Sequence, residues 1–418
     1  MPVAPLHRLV GILGVLVAAL LASPASAQSY DATVDCSGTP TGHIDWPADD
    51  PIWSFDYVRG PQSTGRDGSG LELRNVYYEG RLVFRQAHVP ILNVEYDGSG
   101  CSCFRDWSDE EAGFATDGIR AAPQNCFADA TAGAVETTCD RNLVGGTGGD
   151  TGSFEGVAVE DYGDELVLTT HLRAGWYRYR IKWHFYADGR VWPEYSFSAA
   201  SAVCTENSHR HHAYWRFDFD LDGSDGERVR EINPTAGTSV VIETEAARTW
   251  GDPADGGSWE ITDDATGLGY EIIPSSADLE LPVDSFSKLD ALVVRHHPNE
   301  IDDNGFTCAI NQGRFLNGEG VAGQDVVFWY RSGALHTAGN PWECDIVGPT
   351  LVPVGLGTAA EPDAEGLPEG YELERAQPNP FNPSTTVRFR VAEAQRVSLA
   401  LYDALGRRVA TLHEGYAE

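Results

Sequence analysis

His209-Arg210-His211-His212-Ala213-Tyr214-Trp215-Arg216-Phe217-Asp218-Phe219-Asp220-Leu221-Asp222-Gly223 sets the architecture expected of this chain. From Tyr214 to Leu221, large apolar side chains alternate with charged ones, the period of a β-strand with one face in a core. In a strand, residues i and i+2 share a face. His209 and His211 can therefore point at one ion, while His212 points away. Neutral imidazole suits Cu(II) well. A lone His-x-His is also a common accident of cores and surfaces, so the spacing by itself leaves both readings open.

Working outward, residues 164–172, 176–186, 239–244, 291–296 and 325–330 also read as strands, separated by Gly, Asp, Asn and Pro clusters. Helical periodicity is scarce. Many short strands with Gly-rich turns predict an all-β protein built on a large antiparallel β-sandwich. Composition shifts after Pro353, and residues 354–370 have the Gly, Ala, Pro and acid content of a linker. Residues 28–79 form an N-terminal segment and 80–353 the main domain.

The start of the chain is positively charged. It continues into an apolar run, Leu9 to Leu21, and an Ala25-Ser26-Ala27 cleavage pattern, so residues 1–27 are expected to be a signal peptide. No later segment is apolar enough to span a bilayer. The eight cysteines fit an oxidising compartment and disulfides, though spacing fixes no pairing. Lys plus Arg number 29 against 63 Asp plus Glu, a net charge of -34. That balance excludes nucleic acid and anionic membranes as natural partners. It suits cationic ligands, amines included, and equally a plain solubility role. Phosphate-cradling Gly loops and Gly-x-Ser-x-Gly elbows are absent.

The histidine run resembles the copper-site strand of copper amine oxidases: His-x-His, then Arg216, Asp218 and Asp222-Gly223 at the family's offsets. Asp325-Val326-Val327-Phe328-Trp329-Tyr330-Arg331-Ser332-Gly333-Ala334-Leu335-His336 is similar to the family segment that carries the third ligand. Val293 to Glu300 is more loosely similar to the strand before it. The resemblance covers residues 82–353. It implies copper on His209, His211 and His336, and a structural calcium on Asp218, the Phe219 carbonyl, Asp220, Asp325 and the Val326 carbonyl. It also implies a homodimer.

Family members oxidise a tyrosine near copper to topaquinone, which reacts with a primary amine, and an aspartate takes the α-proton. Tyr177 falls on the precursor position, within Gly175-Trp176-Tyr177-Arg178-Tyr179. Trp176 and Arg178 depart from the family's flanking residues. Tyr96 is expected to hydrogen-bond the quinone oxygen. For the base, Asp109 is the first candidate and Asp106 the second, in a stretch without a clean match. The implied function is a secreted primary-amine oxidase. A copper-binding relative that has lost quinone formation is the alternative, and a glycan-binding or adhesion module is a third class.

Residues 371–418, with Gln377-Pro378-Asn379-Pro380-Phe381-Asn382-Pro383-Ser384-Thr385, resemble the sorting domain of type IX secretion substrates. The resemblance implies a small C-terminal β-sandwich handled by the type IX secretion machinery. Further strands would follow Glu418, so the expectation is a sorting domain cut short.

Overall fold

The computed structural model describes residues 40–65, 70–97, 100–105, 111, 156–174, 177–199, 204–221, 223–250, 257–281, 283, 284, 286–303, 309–337, 347–355, 372, 373, 388–391, 395–402 and 408–417. Contacts divide the chain into Tyr30–Ala359 and a second unit that includes Ala360–Glu418.

In chain order the first strands of the larger unit are β1 (Thr41–Trp46), β2 (Trp53–Val58), β3 (Glu72–Tyr78), β4 (Arg81–Tyr96), β5 (Cys103–Arg105), β6 (Ala158–Asp161), β7 (Glu165–Ala174), β8 (Tyr177–Tyr186) and β9 (Val191–Ala199). They are followed by β10 (His209–Phe219), β11 (Glu227–Asn233), β12 (Thr238–Val241), β13 (Ala246–Arg248), β14 (Ser258–Asp263), β15 (Gly269–Ile273), β16 (Ala291–Arg295), β17 (Val326–His336) and β18 (Thr350–Val354). One nine-stranded antiparallel sheet runs β1-β2-β3-β4-β10-β17-β16-β13, with β5 added against β4. The other runs β12-β11-β14-β15-β18-β9-β8-β7-β6. The all-β sandwich expected from the alternation is the observed architecture. Residues 41–78, ahead of the expected main domain, supply three strands of the first sheet.

Alternation explains the packing. On β10 the odd residues Ala213, Trp215, Phe217 and Phe219 enter the core between the sheets, facing Tyr179, Ile181, Trp183 and Phe185 of β8. The indoles of Trp183 and Trp215 meet edge to face, 5.3 Å between centroids. Tyr214, on the other face of β10, joins a second core with Ile91, Leu292, Val294, Val327 and Trp329. Both faces of β10 are thus covered, and only Arg210 along it is partly exposed.

The β8–β9 hairpin turns at Asp188-Gly189, where Gly189 has φ of +86°. A Cβ there would also strike the Tyr78 ring, within 2.7 Å of Cζ. That turn fixes the pairs Ile181↔Tyr195 and Tyr179↔Phe197.

In the second unit, β19 (Glu372–Leu373) pairs with β20 (Phe389–Arg390), and β21 (Gln395–Tyr402) with β22 (Arg408–Ala417). Among the described residues no helix is long and apolar enough to cross a membrane.

Trp215 is fully buried, and its Nε1 donates to Ser332 Oγ at 3.0 Å. We predict that Trp215→Ala lowers unfolding free energy by about 3–5 kcal/mol, read from chemical denaturation.

Candidate metal centre

β10 lies between β4 and β17, and its register sets the site. His209 is directly opposite Tyr96 on one side and His336 on the other. His211 stands two residues along, on the same face as His209. The ring centroids of His209 and His336 are 4.4 Å apart, those of His209 and His211 5.1 Å. All three rings are fully buried. The structure therefore brings together the three predicted copper ligands and Tyr96 in one patch of the inner face.

The opposite sheet closes over them. Tyr177 opens β8, and its ring stands edge-on to His211 with centroids 4.8 Å apart. Its hydroxyl lies 2.6 Å from that of Tyr96. Phe197 stacks on His211 at 3.7 Å. Tyr195 and Tyr179 bring their hydroxyls to His211 Nδ1, at 3.2 and 3.5 Å. These three residues escaped the sequence reading. The Asp188-Gly189 turn was the available signal, because its hairpin register puts Tyr195 and Phe197 on the inward face beside Tyr179.

The surroundings of the nitrogens can be tested for fit to a metal. With Nδ1 of His211 directed at Tyr195, its Nε2 is buried without a hydrogen-bond partner. His209 Nδ1 pairs with the carbonyl of Asn207 at 2.7 Å, the outer contact that commonly orients a ligating imidazole. Burial, and then the neighbouring His209 and His336, hold His211 well below the usual histidine range. A neutral imidazole with an orphaned inward nitrogen fits copper. The turn carrying Asn207 is tied to the segment just before β5 by the Cys101–Cys204 disulfide. Cys36, Cys126, Cys139, Cys308 and Cys344 lie outside the described residues.

Behind the site, the residues of the β17 motif explain themselves. Tyr330 donates to Asp278 Oδ2 at 2.6 Å, and the Gly333 amide donates to Asp278 Oδ1 at 3.0 Å. Arg331 is fully buried, ion-paired with Asp290, and donates to the Leu281 carbonyl at 2.7 Å. A Cβ on Gly333 would meet Arg331 Nη1 at 2.4 Å, so only glycine fits. His212 faces away from His209, His211 and His336, and burial together with Arg331 pushes it down to about 3.

Carboxylates sit on the outer face of the same sheet. Ligand atoms of Asp218, Asp325 and His296 lie within 4.8 Å of one another. Asp220, from the expected calcium set, is instead bound by Arg85 Nε at 2.6 Å. Phe219 and Val326 are register partners, with buried side chains. Asp109 and Asp106 lie outside the described residues, as do Trp176 and Asp222.

These histidines contribute to the pH dependence of the metal-free protein. His211 and His212 are held below 6.5, so under acid the unfolded chain binds more protons than the folded one. The stability these two histidines contribute is predicted to be lost as pH drops below about 6.5, by up to roughly 1.4 kcal/mol per pH unit for each, while Glu227, whose acid burial raises to about 9, acts with the opposite sign over the same range. Thermal unfolding between pH 7.5 and pH 5 reads this, and His212→Asn should flatten the slope.

No protein-family model and no curated protein matches the chain. Solved structures do. The Aspergillus nidulans amine oxidase aligns with a TM-score of 0.54 at 15% identity, over 96% of this chain and 60% of that one. A copper-containing benzylamine oxidase from Hansenula polymorpha gives 0.50 at 16%, over 81% and 63%. The Pichia pastoris lysyl oxidase PPLO gives 0.50 at 14%, over 73% and 52%. This chain thus spans between about half and two thirds of the length of these proteins. At such identities the likeness concerns architecture: the chain shares its fold with copper-containing amine oxidases.

Proposed function

We propose that this chain is an exported, copper-dependent primary-amine oxidase whose quinone forms from Tyr177. The reaction converts a primary amine, dioxygen and water to an aldehyde, ammonia and hydrogen peroxide. One observation carries the reading: the phenol of Tyr177 lies 2.6 Å from that of Tyr96, and its ring is edge-on to His211. A tyrosine destined for oxidation has to stand against the metal ligands, with its oxygen held.

His209, His211 and His336 would hold the copper. Copper so held supplies the redox chemistry that oxidises the tyrosine and returns electrons to dioxygen. The chain's own residues do the positioning. Tyr96 fixes the Tyr177 oxygen through its hydrogen bond. Tyr195 fixes the His211 ring, so that Nε2 is the nitrogen presented. Phe197, stacked on His211, keeps water from that face. An aspartate from the 106–109 stretch is the proposed base, Asp109 before Asp106. The leader at 1–27 and the sorting-domain motif at 377–385 support export through the type IX machinery.

A second reading has its own observation. Trp176 and Arg178 replace the residues that flank the precursor tyrosine in the resembled family. They favour a copper-binding protein that no longer makes the quinone.

Aerobic copper loading followed by peptide mass spectrometry separates the two. We predict a visible quinone band, oxygen added at Tyr177, and neither in Tyr177→Phe. Copper-replete protein with unmodified Tyr177 would contradict the oxidase and leave the second reading standing.

A further inference from the structure

We infer that the Cys101–Cys204 disulfide positions His209 through the backbone of Asn207, and that full copper affinity therefore waits on the closing of this bridge. The positioning stands on geometry, and only its consequence for copper rests on the reading proposed above. The bridge joins two segments that flank the end of β4. Cys101 lies two residues ahead of β5, which pairs with β4 at residues 93–95. Cys204 lies five residues ahead of β10, which pairs with the other edge of β4 up to Tyr96. The sulfur link thus straddles the end of β4, at the row where Tyr96 is opposite His209.

The turn before β10 meets this bridge twice. The Asn207 amide donates to the Cys204 carbonyl at 3.1 Å, and the Asn207 side-chain Nδ2 donates to Cys101 Sγ at 3.8 Å. Ser208, next along, is held separately by the ladder, where the Asp97 amide donates to its carbonyl at 2.7 Å. The ladder therefore fixes Ser208, and the bridge fixes residues 204–207 behind it. That division matters for His209. Its Nδ1 lies 2.7 Å from the Asn207 carbonyl, and a carbonyl only accepts. Nδ1 must then carry the ring proton and Nε2 the lone pair, which is the form an Nε2 ligand needs.

Opening the bridge releases Cys204, and with it the turn that aims the Asn207 carbonyl. The His209 ring then exchanges its proton between Nδ1 and Nε2, and the ligand form is populated only in part. Outer contacts of this kind change metal affinity by roughly 10- to 100-fold. Closing the bridge turns two thiols into one S–S bond. It passes two electrons and two protons to a thiol–disulfide oxidant, whose own disulfide becomes a dithiol. Such oxidants act outside the cytosol. Copper acquisition at full affinity is thereby tied to the oxidising compartment that the proposed export provides.

Full-length Cys101→Ala/Cys204→Ala protein tests this, with the remaining cysteines untouched. Nitrogen-15 NMR of histidine-labelled, metal-free protein reads the tautomer of His209, assigned by the signal lost in His209→Gln. We expect a fixed Nδ1–H form in the wild type and an exchange-averaged ring in the double variant. Copper affinity, measured by chelator competition, should fall at least about tenfold. Asn207→Gly keeps the bridge but loosens the backbone that carries the carbonyl, so it should move both readouts the same way even where the double variant fails to fold. A bridge that serves stability alone would lower the unfolding midpoint and leave tautomer and copper affinity unchanged, and that result would overturn the inference. An averaged ring in the wild type would overturn it too. Wild-type protein that takes up no copper, yet shows a fixed ring that the double variant loses, would end the copper reading and leave the positioning of His209 standing.

Discussion

The register of β10 between β4 and β17 is the constraint on which the rest depends. It sets Tyr96, His209 and His336 in one row across three strands and leaves His211 beside them. Because side chains alternate with a period of two, a slip of one residue would turn every ligand to the other face. The same slip would turn Trp215, Phe217 and Phe219 out of the core and bring Arg216 and Asp218 in. Folding and the gathering of the three histidines therefore select the same register. The hydrophobic core protects a ligand geometry that the histidines, mutually repulsive when charged, would not hold by themselves.

β10 is buried on both sides, and its two faces do different chemistry. Inside, imidazoles and tyrosines replace the hydrocarbon core at one end of the sandwich. Outside, Arg216, Asp218 and Arg331 lie under surrounding structure, each with charged or polar partners. Buried ion pairs of this kind contribute little net stability, yet removing one partner is costly. Their effect is to fix side-chain direction. Arg331, held by Asp290 and the Leu281 carbonyl, packs against Gly333 three residues before His336.

Much of this was legible in the sequence because period-two alternation encodes both strand and face. Spacing and resemblance to a family single out the three histidines and the tyrosines at 96 and 177, which the structure places side by side. Long-range pairing was harder to read. Tyr195 and Phe197 reach the site only through the hairpin at Asp188-Gly189 and the packing of one sheet on the other. His296 was visible in a strand-like stretch, but its meeting with Asp218 depends on β16 and β17 being neighbours. Glu227 gave no sign, since an acid in an acidic chain looks ordinary until burial isolates it. Cys101 and Cys204, 103 residues apart in sequence, could not be paired from spacing.

We propose that one copper ion is held by His209, His211 and His336 together. Electron paramagnetic resonance of the Cu(II)-loaded protein, resolved for imidazole nitrogen couplings, addresses it most directly. We predict three coupled imidazoles in the wild-type protein and two in His336→Ala. A wild-type spectrum with fewer than three, or one unchanged by His336→Ala, would contradict it.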